Sequence, residues 1–183
     1  MKCALTAALL LLSGALVPAA EGGPMLQFND QHFAPEHAYA FQMKTPDLDA
    51  MSPQDMQGGP EKMKWKKSTV LVLSDKPFDA AALAKLDPPV DALDRMVAAG
   101  AVMLTVIAGV GGKVDMLQLA LPRSQTALQL DTGVATLTLD PPKDGKLSGR
   151  LVVKGDRKMH DFDPQNVPFV EADVRFVTAA PAH

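Results

Sequence analysis

From residue 101 onward the chain repeats one pattern, in which short apolar or alternating runs are separated by glycine, proline or aspartate. Alternation with a period of two is typical of strands that bury one face, because successive side chains point to opposite sides of a sheet. In residues 167–177 the even-numbered positions from 170 onward are apolar, whereas Glu171, Asp173 and Arg175 occupy the other face. The pattern therefore predicts an antiparallel sheet with one face packed on a core and the other exposed to solvent.

Eight segments have the length and composition expected of strands. They are residues 37–43, 65–74, 101–108, 113–121, 126–130, 134–139, 146–153 and 167–177. Between the second and third of these, residues 78–86 and 90–99 are rich in helix formers and are separated by Asp87-Pro88-Pro89, which predicts two short helices. We therefore expect a mainly β (α+β) fold, namely an antiparallel β-sandwich or open barrel of about eight strands with two short helices inserted after the second strand.

The amino terminus has the pattern of a signal peptide. Lys2 precedes an apolar run over residues 4–16, and Val17 and Ala19 place small residues before a cleavage point. The run is shorter than the roughly 20 residues that a membrane-spanning helix needs. We expect cleavage after Ala19 and export to a periplasm or to the medium, with residues 20–36 loosely ordered and residues 37–183 forming a single β-rich domain.

Composition and motifs argue against several classes of function. The chain carries 18 Lys and Arg against 21 Asp and Glu, which is not the basic surplus of a general nucleic-acid binder. The one cysteine, Cys3, lies in the predicted leader, so neither a disulfide nor a thiol nucleophile is expected in the mature chain. Ser148 lacks the flanking glycines of a nucleophile elbow. We therefore predict a protein that is not an enzyme and has neither catalytic residues nor a resident cofactor.

One positively charged run is the leading candidate for a binding surface. Lys62, Lys64 and Lys66 alternate in sequence and are predicted to share a strand face, with Trp65 as an aromatic anchor for a protein or envelope partner. The alternative is an edge strand whose lysines prevent aggregation. Residues 44–61, rich in proline, glycine and aspartate, are predicted to form a long exposed loop, and such loops are often functional.

A second hypothesis is a periplasmic copper site. Thioether sulfur is a soft ligand that suits Cu(I), and imidazole suits copper generally. The candidate ligands are His32, His37, Met51, Met56 and Met63, which stand in or near the predicted loop. The alternative for the methionines is that they fill gaps in the core.

A further polar cluster, at Asp156, His160, Asp161 and Asp163, is predicted to be a hairpin tip rather than an acid–base site, because aspartate dominates turns irrespective of activity. The sequence thus favours an exported, non-catalytic binding or interaction protein of the cell envelope, with copper binding as the alternative and a hydrolase with paired carboxylates, which no motif supports, as a third class.

Overall fold

The computed structural model describes residues 14–15, 25–52, 54, 60–78, 100–122 and 127–180. Its strands are β1 (Gly14–Ala15), β2 (Met25–Phe28), β3 (Gln31–Phe33), β4 (His37–Pro46), β5 (Trp65–Ser74), β6 (Met103–Ala108), β7 (Val114–Ala120), β8 (Leu128–Leu130), β9 (Ala135–Leu139), β10 (Lys146–Lys154) and β11 (Val170–Ala179). An α-helix, α1 (Arg157–Phe162), connects β10 to β11.

The strands form two antiparallel sheets, ordered β1-β4-β5-β6-β7-β8 and β3-β2-β11-β10-β9. The inner faces of the two sheets meet in one core, which contains Leu71 and Leu104 from the first sheet and Leu151 and Phe176 from the second. Burial of side chains of this size stabilises the fold by about 1.5–3 kcal/mol each. The predicted mainly β, sandwich-like architecture is confirmed.

The first sheet also buries its other face around Val70, Val72 and Met103. Tyr39 belongs to this second cluster, and its hydroxyl accepts a hydrogen bond of 2.8 Å from the backbone N–H of Phe78. The apolar side chains at residues 70–73 are therefore buried on both faces of the sheet, as expected of a strand that is covered on both sides.

All eight predicted strands are present, and β5 has the predicted bounds. The structure adds β1 in the predicted leader, and it adds β2 and β3 in the described part of residues 20–36, which were expected to be loosely ordered. Leu26 of β2 is only 2% exposed, and β2 pairs with β11. A strand of four residues needs little local alternation when a long neighbouring strand supplies its partners.

Two connections also differ from expectation. Asp131-Thr132-Gly133 predicts a turn between neighbouring strands of one antiparallel sheet, but β8 lies in the first sheet and β9 in the second. The predicted hairpin tip at residues 156–163 contains α1, whose N-cap Asp156 accepts hydrogen bonds from the N–H groups of Lys158 and Met159.

The two predicted helices lie in residues 78–99, of which 79–99 are outside the described residues. In the described part of the chain, no helix has the length and apolar character required to cross a membrane.

Candidate binding surface

The four residues predicted as a binding patch occupy different environments. Lys62 is exposed at the end of a 3-10 turn, and Lys64 donates a hydrogen bond of 2.6 Å from Nζ to the carbonyl oxygen of Ala50. Trp65 begins β5 and is 52% exposed, whereas Lys66 Nζ lies 2.9 Å from Asp115 Oδ2. The structure therefore does not bring these four side chains onto one surface.

The alternative interpretation of this run as an edge strand stays open. β5 pairs with β4 along its whole length and with β6 from Thr69 onward. Within the described residues, Trp65 to Ser68 therefore have a strand partner on the β4 side only, and Lys66 and Lys67 belong to this stretch.

A continuous register places Trp65 in a ladder of cross-strand pairs. Pro46 lies opposite Trp65, Lys44 opposite Lys67, and Gln42 opposite Thr69. The next odd-numbered residues of β5 on this face, Leu71 and Leu73, enter the core between the sheets. On this face, the cross-strand pairs thus run from side chains that are buried under the second sheet to side chains that are exposed to solvent near Trp65. We call the solvent-accessible part of this face the ledge; it consists of Gln42, Lys44, Pro46, Trp65, Lys67 and Thr69.

The ledge concentrates positive charge beside an indole ring. Side chains directly opposite each other on antiparallel strands have Cβ atoms about 4.5–5.5 Å apart, and like charges in that position repel. Neither Lys44 nor Lys67 forms an ion pair with an acid of the described ranges. Such a pair suits an acidic ligand, which would relieve the repulsion.

On the opposite face of the same end of β5, the lysine side chains are paired with carboxylates of the protein itself. Lys66 contacts Asp115, and Lys113 Nζ donates to Asp49 Oδ2 at 2.6 Å. Asp115 Oδ2 is buried and has no well-aligned hydrogen bond, so its contact with Lys66 is one of charge. The hydrogen bond and charge of Lys113 lower the pKa of Asp49, and Asp49 raises the pKa of Lys113 for the same reasons.

These contacts correct the prediction of a long exposed loop over residues 44–61 in its described part; residues 53 and 55–59 lie outside the described residues. Lys44 to Pro46 belong to β4, and residues 48–50 form a 3-10 turn that Lys64 and Lys113 hold by side-chain hydrogen bonds. Lys44 is not predicted as a strand residue because Pro46 and Asp47 follow it closely and indicate a loop. The sequence does carry a signal for it, because the alternation of side chains along β4 continues through Gln42 and Lys44 on the face of Ala38 and Ala40.

The candidate copper ligands that the structure describes lie on different elements. His32 lies on β3 in the second sheet and His37 on β4 in the first. Met51 is 9% exposed, Met63 is half-buried, and Met56 lies outside the described residues. Within the described ranges, no group of three or more histidine, cysteine, aspartate or glutamate side chains is arranged to hold a metal ion.

The His160 segment is organised around structural contacts. His160 is 8% exposed, and its Nδ1 lies 2.7 Å from the carbonyl oxygen of Val167, so Nδ1 carries the donated hydrogen. Arg157 stacks 4.0 Å from the ring centre of Phe169. On the outside of α1, Phe162 is 86% exposed.

The described residues thus define an antiparallel β-sandwich in which one sheet face continues beyond the core as a cationic and aromatic surface. No family model, curated protein or solved structure matches this chain.

Proposed function

We propose that the protein is an exported, non-catalytic binding protein of the cell envelope, and that it contacts an acidic partner protein through the ledge. One observation carries the proposal: a half-exposed tryptophan shares a sheet face with two directly opposed lysines, Lys44 and Lys67, that have no acidic partner in the described structure.

The ledge has the composition of a recognition surface. Tryptophan is enriched where interfaces bury their centre, because it supplies a large apolar area with few rotatable bonds. The lysines add attraction toward negative charge, which speeds association and depends on salt. Neither feature helps the isolated domain, since an exposed indole buries little surface and opposed lysines repel each other.

Capture from the envelope fraction tests the proposal. The full-length protein is compared with Trp65→Ala and with the double variant Lys44→Gln/Lys67→Gln, at low and at high salt. We expect both variants to lose the same captured partners, and the wild type to lose them as salt rises.

Matched controls lie elsewhere on the surface. Lys146→Gln/Lys154→Gln removes the same charge from exposed positions at the two ends of β10, and Phe162→Ala removes an exposed aromatic ring from α1. Both controls are expected to capture as the wild type does. Unchanged partners for the ledge variants would show that the ledge is not the binding surface.

Copper binding stays an untested prediction. Titration of the protein with Cu(I), followed by intact mass, examines it directly, and absence of uptake at micromolar metal would eliminate the copper hypothesis.

A further inference from the structure

β4 is paired very unequally on its two sides. On one side it forms ten consecutive pairs with β5. On the other, within the described residues, only its first two residues have a strand partner, because Gly14 and Ala15 of β1 pair with Ala38 and His37. The outer edge of β4 beyond Ala38 therefore has no described strand beside it.

The hydrogen-bond pattern shows which backbone groups face this edge. The N–H of Asp47 donates to the carbonyl oxygen of Lys64 at 2.8 Å, which continues the β4–β5 ladder by one pair. Bonded pairs alternate along an antiparallel ladder, so odd-numbered residues of β4 bond to β5 and even-numbered residues face outward. Ala40, Gln42 and Lys44 thus each present an N–H and a carbonyl to the open edge, and Pro46 ends the row of donors because it has no N–H.

β1 already demonstrates how this edge accepts a strand. It lies antiparallel to β4, and it also comes within 8 Å of β11. β2 pairs only with the first four residues of β11, so β1 lies where the two sheets approach each other. β1 belongs to the segment that the sequence predicts to be removed on export, and its loss would lengthen the open edge of β4 to His37.

We propose that the outer edge of β4 binds an extended acidic segment of the partner protein as an added antiparallel strand. This inference rests on the proposed function and specifies its binding mode. The open backbone groups supply main-chain hydrogen bonds, and alternate side chains of the added strand lie on the ledge face beside Lys44. A second copy of the chain is disfavoured as the occupant because its own β4 would bring another Lys44 to an already cationic face.

A pair of synthetic peptides separates strand addition from simple charge attraction. The first alternates valine and glutamate over eight residues and has blocked ends. The second has the same sequence but carries N-methyl groups on the alternate residues whose N–H groups would face β4. The protein is the full chain recovered from an exporting host, with its amino terminus read from the intact mass.

Two signals report the binding. Trp65 is the only tryptophan, so its fluorescence monitors the ledge directly. Amide hydrogen exchange at Ala40, Gln42 and Lys44 monitors the edge. We expect the unmethylated peptide to bind, to slow exchange at these amides, and to bind at least about tenfold more tightly than the methylated one, since each N-methyl group removes one main-chain hydrogen bond.

A variant of the edge provides a second test. Gln42→Pro removes one outward N–H without breaking the β4–β5 ladder, and Gln42→Thr keeps that N–H as the matched control. We expect about tenfold weaker peptide binding for Gln42→Pro and binding near the wild-type level for Gln42→Thr. If Gln42→Pro does not fold, the methylated peptide decides alone.

The inference is overturned if neither peptide binds, if both bind equally, or if the three amides exchange at unchanged rates. Equal binding of both peptides, together with loss of envelope capture by the ledge variants, would reject strand addition and leave the proposed function standing. Unchanged capture by those variants would reject the proposed function itself.

Discussion

Three consecutive residues, Trp65, Lys66 and Lys67, have three different roles in this fold. Trp65 projects an exposed ring onto the ledge, Lys66 is held against Asp115 on the opposite face, and Lys67 stands opposite Lys44. Strand geometry causes the difference, because each step along β5 reverses the side-chain direction. A basic run that is continuous in sequence is thus divided between a structural ion pair and an exposed surface.

The two lysines are expected to differ in their effect on stability. Lys66→Gln leaves the buried carboxylate oxygen of Asp115 without its cation, so we expect it to lower the free energy of unfolding by about 1–3 kcal/mol. Lys67→Gln removes a repulsive charge and is expected to change it by less than about 0.5 kcal/mol. Urea denaturation of both variants measures the difference, and equal losses would contradict the assigned roles.

Asp173 predicts a specific pH dependence. Hydrogen bonds from Arg150, at 2.7 Å from Nε, hold its pKa below the usual 3.8. A pKa that folding lowers contributes stability above the unfolded-state value, and this contribution disappears as the pH falls through the folded-state value. Because Asp173 is nearly half exposed, the effect is expected to stay below about 1 kcal/mol.

Asp173→Asn tests this dependence because it removes the ionisable carboxyl group. It also leaves Arg150 opposite Arg175 without a compensating negative charge. Urea denaturation should show the variant less stable than wild type at neutral pH, with the difference vanishing in strong acid. A difference that is constant with pH would indicate a cause other than ionisation.

At the scale of the element, the turn between β6 and β7 shows how local sequence determines backbone shape. Gly109-Val110-Gly111-Gly112 predicts a hairpin turn, and β6 and β7 are indeed antiparallel neighbours joined there. Gly111 and Gly112 both have positive φ angles, which glycine adopts without steric cost. The helix α1 and the hairpin of β2 and β3 were not predicted, because each is short and its stability depends on contacts with β11 or its flanking loop.

The two glycines of this turn are expected to respond differently to an added methyl group. A Cβ at Gly112 would lie 2.9 Å from the carbonyl oxygen of Leu137 in β9, whereas one at Gly111 would meet nothing within 4 Å. Both alanine variants incur the cost of a positive φ, about 1 kcal/mol. We expect Gly112→Ala to be destabilised by about 1–2 kcal/mol more than Gly111→Ala, measured by thermal or urea denaturation, because backbone must move. Equal losses of stability in the two variants would mean that β9 moves away from the added methyl group at no measurable cost.

At the scale of the whole molecule, the first sheet is longer than the second sheet covers, and this mismatch creates the ledge. The paired strands β4 and β5 run over ten residues each, and only part of their inner face reaches the core between the sheets. A polar and aromatic surface therefore continues directly from the sandwich interior. The edge of β4 that has no described strand partner borders the same surface, so one corner of the molecule combines both features of the proposed binding surface.

The predicted export and cleavage can be tested on the intact protein. Expressed with its own amino terminus in an exporting host, the chain is expected to have the mass of residues 20–183 and to lose its single thiol, Cys3. Intact mass and thiol labelling measure both properties on one sample. Recovery of the full 183-residue mass from the envelope would contradict the predicted cleavage.

The sequence by itself determined where most strands lie and which side chains they bury, because alternation and turn residues act over a few neighbouring positions. It also determined that Trp65 stands among lysines. Only the tertiary structure decided that β8 and β9 belong to different sheets, that Lys44 rather than Lys66 accompanies Trp65, and that β4 beyond Ala38 has a strand partner on only one side among the described residues. These features depend on pairing between distant segments, and that pairing is fixed by the collective burial of the core rather than by any local pattern.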